Sequence, residues 1–155
     1  MAQTIATREG YGETLVELVK EGYDIMAVEA DLSGSTTTKK LQDYDSSRLV
    51  NVGIAEQNMI GVAAGLSLAG KTVFTGSFAA FGTGRCYDQI RNTVCYASLD
   101  VKVAPTHAGI TVGPDGGSHQ MLEDVSLMRG LPGMNVLIPA DYWAAKQAVR
   151  IAAPT

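Results

Sequence analysis

Residues 49–66 read Leu49-Val50-Asn51-Val52-Gly53-Ile54-Ala55-Glu56-Gln57-Asn58-Met59-Ile60-Gly61-Val62-Ala63-Ala64-Gly65-Leu66. A four-residue apolar run, a glycine, and then a helix-length segment describe a strand that enters a helix through a tight turn. The helix, Ile54 to Ala69, is apolar nearly all round, with Ile60, Ala63, Ala64 and Leu68 on one side and Val62 and Leu66 on another. A surface helix keeps a polar stripe. This one predicts burial on both sides, with another subunit as the second cover.

The same alternation extends outward. Upstream, Tyr11, Leu15, Leu18 and Val19 recur at helical spacing before Gly22, and Ile25 to Val28 form a strand. Downstream come a strand Thr72–Thr75, a helix Arg85–Ser98 with Tyr87, Ile90 and Val94 on one face, and a strand Val101–Ala104. A helix His119–Met128 follows, with Met121, Leu122, Val125 and Met128 inward. A fifth strand covers Asn135–Ile138, and Asp141 caps a last helix through Ile151. Five short apolar strands separated by helices predict an α/β fold: a parallel sheet with helices on both faces. The chain shows no repeat or linker, so residues 1–155 read as one domain. Ala152-Ala153-Pro154-Thr155 stands where such a domain would begin another strand.

Composition narrows the function classes. The chain has 155 residues, 46% hydrophobic and 18% charged, with net charge −4 and no basic cluster. That excludes a disordered chain and argues against nucleic-acid or anionic-membrane partners. Met59 to Gly70, the longest weakly polar run, is too short to span a bilayer, and Met1 to Arg8 has no apolar signal region. The expectation is a soluble cytoplasmic protein. Cys86 and Cys95, nine apart on one expected helix, should point to opposite faces and stay unbridged; no metal-ligand spacing is present.

Ligands of open parallel sheets bind beyond the carboxyl ends of the strands. Glu29, Asp31 and the loop Ser33-Gly34-Ser35-Thr36 fall there after the first strand, and Glu56 after the second. Ser77, Phe78 and Phe81 follow the third. Thr106 and His107 follow the fourth, then Gly113-Pro114-Asp115-Gly116-Gly117-Ser118-His119. Each has a plain reading beside a functional one. Glu56 either favours a helix dipole or, among Ile54, Ala55, Met59 and Ile60, is a buried proton carrier. Phe78 and Phe81 are core or a ligand platform. His107 is a hydrogen-bonded core histidine or a ligand contact, and Ser33 to Thr36 a turn or a phosphate nest.

Read together, the motifs are specific. Gly53-Ile54-Ala55-Glu56-Gln57-Asn58-Met59 resembles the central motif of the transketolase pyrimidine-binding domain. Ala6-Thr7-Arg8, Ala30-Asp31-Leu32 with Ser35, Ser77-Phe78-Ala79-Ala80-Phe81 and Tyr87-Asp88-Gln89-Ile90-Arg91 follow that pattern in order. So do His107, Gly113-Pro114-Asp115-Gly116, Ser118-His119-Gln120 and Glu123-Asp124. The likeness covers nearly the whole chain and is greatest to the first domain of the C-terminal chain of a split transketolase. It leaves out the diphosphate-binding and C-terminal domains.

The resemblance implies a thiamine-diphosphate-dependent fold and the transfer of a two-carbon ketol unit from a ketose phosphate to an aldose phosphate. It implies that Glu56 bonds the cofactor's aminopyrimidine, that Phe81 stacks on that ring with Phe78 beside it, and that Asp31 lies near the cofactor. His107 would contact sugar hydroxyls, Asp115 a hydroxyl that sets stereochemical preference, and His119 would help deprotonate the donor. Arg8 and Ser35 would hold the sugar phosphate. The Mg²⁺ ligands are expected on a diphosphate-binding partner domain or subunit, and a homo-oligomer is expected. One departure is Gly84, which stands where many members carry a tyrosine on the aminopyrimidine. The nearest rivals are a 1-deoxyxylulose-5-phosphate synthase-like domain, against which His107 argues, and the beta chain of a 2-oxo acid dehydrogenase. Outside enzymes, the rival is a self-associating domain that binds no cofactor.

Overall fold

The structure, a computed structural model, describes residues 4–153. Pro154-Thr155, where the sequence predicts a new strand to begin, and Met1 to Gln3 of the leading segment lie outside the described residues. In chain order the helices are α1 (Thr7–Lys20), α2 (Ser33–Thr36), α3 (Lys39–Tyr44), α4 (Glu56–Leu68), α5 (Tyr87–Gln89), α6 (Asp124–Arg129) and α7 (Tyr142–Ala152). The strands are β1 (Ile25–Glu29), β2 (Leu49–Asn51), β3 (Thr72–Gly76) and β4 (Val101–Val103), all parallel in the order β2-β1-β3-β4.

Strand alternation divides the core in two. Val28 and Val73 turn toward α4 and join Met59, Ile60, Ala63, Cys86, Ile90, Val94 and Met128. Ile25, Ala27 and Phe74 turn the other way, onto Tyr11, Leu15 and Leu18 of α1 and Val149 of α7. The sheet is thus covered on both faces. The chain leaves β1 toward β2 and returns on the other side to β3, so the switch in strand order lies between β1 and β3. The crevice there is the default ligand position.

The first four strands and the helices at Thr7, Glu56 and Tyr142 follow the expected pattern. Asp141 caps α7, its Oδ1 accepting from the Ala144 amide at 2.7 Å. Asn135–Ile138 is not a strand: it hydrogen-bonds to no sheet neighbour among the described residues, and Leu137 and Ile138 stay exposed. An apolar run supplies side chains for a sheet, but a strand also needs a ladder partner, and β4 gains none here. The helix expected over His119–Met128 is also shorter. Gly113–Ser118 forms 3₁₀ turns broken by a kink at Gly116 (φ 67°), and Met121 exchanges backbone hydrogen bonds with Gly109 (2.7 and 3.1 Å), which holds this stretch extended. Met121 and Met128 are buried as expected, whereas Leu122 points to solvent.

The segment expected as a helix over Arg85–Ser98 starts earlier and contains two π-helical stretches, Ala80–Arg85 and Ile90–Cys95, around α5. The wider i→i+5 turns rotate less per residue than an α-helix. Cys86 and Cys95 consequently pack against the same core cluster rather than on opposite faces. They remain free thiols. No helix of the described residues is long and apolar enough to cross a membrane.

Candidate functional site

Seven side chains form a continuous line across the carboxyl edge of the sheet. At one end Arg8, in the first turn of α1, places Nη1 3.2 Å from His107 Nε2. The His107 ring lies 4.4 Å from that of Phe78, and Phe78 is 6.0 Å from His119. His119 meets Phe81 edge-on at 5.0 Å. Beyond Phe81, the Arg85 guanidinium lies 4.4 Å from the ring centroid and donates to Glu56 Oε2 at 2.7 Å.

Local backbone explains why these residues converge. The third strand continues as a single bridge between Phe78 and Thr106, with Thr106 N donating to Ser77 O and Ala79 N to Thr106 O. His107 follows with φ 61°, a left-handed conformation that costs a non-glycine residue about 1–3 kcal/mol. That turn swings the imidazole back over Phe78. Thr106 Oγ1 lies 2.8 Å from Nδ1, while Nε2 faces Arg8. Burial first, and the Arg8 charge second, hold His107 below the ordinary histidine value, with Asp115 opposing them. The ring is accordingly neutral at neutral pH, with Nε2 free to accept from Arg8. Asp115 sits in the exposed 3₁₀ segment within electrostatic reach of His107. Ser118 Oγ is 2.9 Å from His119 Nδ1.

Glu56 is 3% exposed at the first position of α4. Gly53, at φ 73°, makes the turn from β2, and its amide is held by Asn51 Oδ1 at 2.9 Å. The surroundings are less apolar than the sequence predicts. Met59 and Ile60 are buried, but Ile54 is 80% exposed and Arg85 is the carboxylate's close partner. Nearby Cys86, whose thiol burial and then the Glu56 charge push up to about 12, is an inert neighbour. Asp31, at φ 63°, is tied to Asn51 through its amide and its carboxylate, both at 3.2 Å. Ser35 lies in α2 with its amide on Leu32 O at 2.8 Å. The Thr37 hydroxyl joins this loop to α1 by donating to Arg8 O.

Of the nine expected site residues, Arg8, His107, Phe78, His119, Phe81 and Glu56 stand in the line, and Asp115 stands beside it. Asp31 and Ser35 lie at the end of β1, linked to the line through Asn51 and Thr37. Arg85 is the member that sequence reading missed. Its signal was present: a cation four residues after Phe81. Among the described residues no group of three or more His, Cys, Asp or Glu could hold a metal ion.

Among the described residues, nothing covers one face of α4. Ile54, Gln57, Asn58, Gly61, Gly65 and Leu68 are exposed along a helical stripe, and no atom lies within 4 Å of the position a Cβ would take at Gly61 or Gly65. Glu56 thus sits between a finished core and an open helix face.

Comparison with known proteins identifies the family. Residues 3–155 match the family described as "Transketolase, pyrimidine binding domain". The "Putative transketolase C-terminal section" of Methanocaldococcus jannaschii is 52% identical over 143 residues, covering 92% of this chain and 45% of that protein. Human "Transketolase" is 37% identical over 152 residues, covering 97% of this chain and 24% of that protein. The solved structure "Split gene transketolase, inactive beta4 tetramer" superposes with TM-score 0.86 at 48% identity, over 99% of this chain and 49% of the other. "Transketolase from Leishmania mexicana" gives TM-score 0.86 at 29% identity, over 99% and 24%. This chain spans half or less of the length of these relatives. With its parallel sheet, the Glu56 helix and the aromatic–histidine line, the chain belongs to the transketolase pyrimidine-binding domain family.

Proposed function

We propose that this chain is the pyrimidine-side half of a thiamine-diphosphate-dependent transketolase. In this reading it moves a two-carbon ketol unit from a ketose phosphate to an aldose phosphate when paired with a diphosphate-binding partner domain. The observation that carries the reading is the continuous line from Arg8 to Glu56 ending beside the open face of α4. It offers a carboxylate and an aromatic face for half a cofactor and leaves the helix face for the chain that holds the other half. The residues present fit the aminopyrimidine: a buried carboxylate for a ring nitrogen and a phenylalanine face for the ring.

When bound, thiamine diphosphate supplies the electron sink for cleaving a carbon–carbon bond beside a carbonyl. Glu56 would hold the aminopyrimidine through a ring nitrogen, and Arg85 on Oε2 fixes the carboxyl plane. Phe81 and Phe78 would orient the ring and exclude water, and Asp31 would lie near the cofactor. His119 takes the proton of a donor hydroxyl as the general base. His107 and Asp115 orient substrate hydroxyls. Arg8 and Ser35 take the sugar phosphate, which suits a guanidinium fork and a hydroxyl. The Mg²⁺ ligands belong to the partner domain. The same reading takes the enzyme to be cytoplasmic, dimeric in its catalytic unit and active in pentose phosphate interconversion.

The test is Glu56→Gln in the complex reconstituted with a diphosphate-binding subunit. The reading expects turnover to fall by about 10²–10⁴-fold with an unchanged circular dichroism spectrum. Unchanged turnover removes Glu56 from the chemistry. A second reading, an inactive assembly of this chain alone, is favoured by the open α4 face and by the relative described as an inactive beta4 tetramer. Mixing with the partner subunit separates the two: turnover that appears on mixing supports the catalytic half, and a persistent inactive oligomer supports the other.

A further inference from the structure

Glu29, at the carboxyl end of β1, has no exposed surface and takes part in no step above. Its Oε1 accepts from the Thr36 hydroxyl and, at 2.5 Å, from the Thr38 hydroxyl. The residue paired with it on β3 is Gly76, where any Cβ would overlap the carboxyl group. Burial pushes the carboxyl up, and the two threonine hydroxyls with the Leu32 and Ala30 amides pull it back. The strand pair at the switch point is therefore shaped around this one side chain; the threonines satisfy Oε1, whereas Oε2 is buried without a hydrogen-bond partner, and a buried carboxyl is costly unless its contacts are satisfied.

Those contacts control a short stretch of chain. Thr36 and Thr38 bracket Thr37, which sits at φ 69° and donates its hydroxyl to Arg8 O. Ser35 directly precedes Thr36. Gly12, one turn beyond Arg8 in α1, approaches so closely that a Cβ there would overlap the Thr37 carbonyl. Arg8 and Ser35 come from different elements, and the chain that joins them is pinned on both sides of Thr37 to one carboxyl oxygen.

We propose that Glu29 is a positioning residue for the phosphate-bearing end of the substrate, fixing Arg8 relative to Ser35 without touching the substrate. This rests on the reading of Arg8 and Ser35 as the phosphate grip. A carboxyl that merely stabilises the fold affects all substrates alike; one that sets the grip affects only those that carry the phosphate.

Steady-state kinetics of the assembled enzyme, with a phosphorylated ketose donor and its unphosphorylated counterpart, separate these roles. Glu29→Ala is expected to raise KM for the phosphorylated donor about tenfold, with kcat and the other donor's KM within about twofold. Glu29→Gln, whose amide oxygen still accepts from both threonines, restores KM. The double variant T36V/T38V keeps the side-chain volumes and removes the donors, so it reproduces Glu29→Ala and replaces it if that variant does not fold. Equal losses for both donors, or no change in either, overturn the proposal when Arg8→Ala and Ser35→Ala selectively weaken the phosphorylated donor. If Arg8→Ala and Ser35→Ala do not discriminate between the donors, the phosphate reading falls, and this proposal with it.

Discussion

The two ends of the line are built differently. Around Arg8 and the end of β1, the chain closes the wall itself: Glu29, Thr36 and Thr38 are fully buried, Gly76 makes room for the carboxyl, and Thr37 reaches α1. Around Glu56, the structure is complete on the sheet side only. Met59 and Ile60 are buried, while Ile54, Gly61, Gly65 and Leu68 a few residues away are open. A wall fixed by internal hydrogen bonds is set before any ligand arrives. The other wall is open on its outer side. The comparison teaches that the two ends of one line can differ in how far the chain itself finishes them: one end is closed by internal contacts, and the open surface is concentrated at the other, where the proposed partner would sit.

Substitutions can break that contrast. The largest expected effect is at the open end, where Glu56→Gln removes about 10²–10⁴-fold of turnover while thermal unfolding of the isolated chain barely moves. Stopped assays and a melting curve on the same preparation check it. At the closed end, Gly76→Ala drives a methyl into Glu29 and is expected to cost about 1–3 kcal/mol of stability, read by urea titration of the isolated chain. Gly61→Ala should act in the opposite direction. With open space at that position, the isolated helix gains about 0.5–1 kcal/mol, while association with the partner weakens because the covered face has lost its clearance. If both glycine changes stabilise the lone chain, the contrast between a finished and an unfinished wall is wrong.

The smallest effect is a titration. His107 is held below the ordinary histidine range by burial and by Arg8. As pH falls through roughly 6.5, the unfolded chain takes up the proton first, so this group's contribution to stability is present above that range and is lost below it. Arg8→Ala should raise the His107 value measured by NMR without restoring the ordinary one, because burial, the larger cause, remains. No movement would detach Arg8 from the imidazole.

Most of this was legible in the sequence where residue type and spacing coincide. Apolar runs ending in Gly53, Ser77 or Thr106 located the sheet edge, and Glu56, Phe78, Phe81, His107 and His119 follow from their place on it. What escaped depends on geometry that spacing does not encode. Asn135–Ile138 has a strand's composition but no ladder neighbour, and the π turns at 80–95 changed which way Cys95 faces. Glu29 was visible as a polar residue where the first apolar run ends. Its role depends on Gly76, a residue forty-seven positions away that only strand register brings alongside. Arg85 was hidden because a surface cation in a helix reads as solvated until a ring and a carboxylate are found beside it.

The central claim is that this chain holds half of a cofactor site. Calorimetric titration of thiamine diphosphate with Mg²⁺ into the chain alone, and then into the chain with its diphosphate-binding partner, tests it directly. The account predicts no detectable heat from the lone chain at tens of micromolar, a threshold of about −6 to −7 kcal/mol, and saturable binding once the partner is present. Tight one-to-one binding by the lone chain would contradict it.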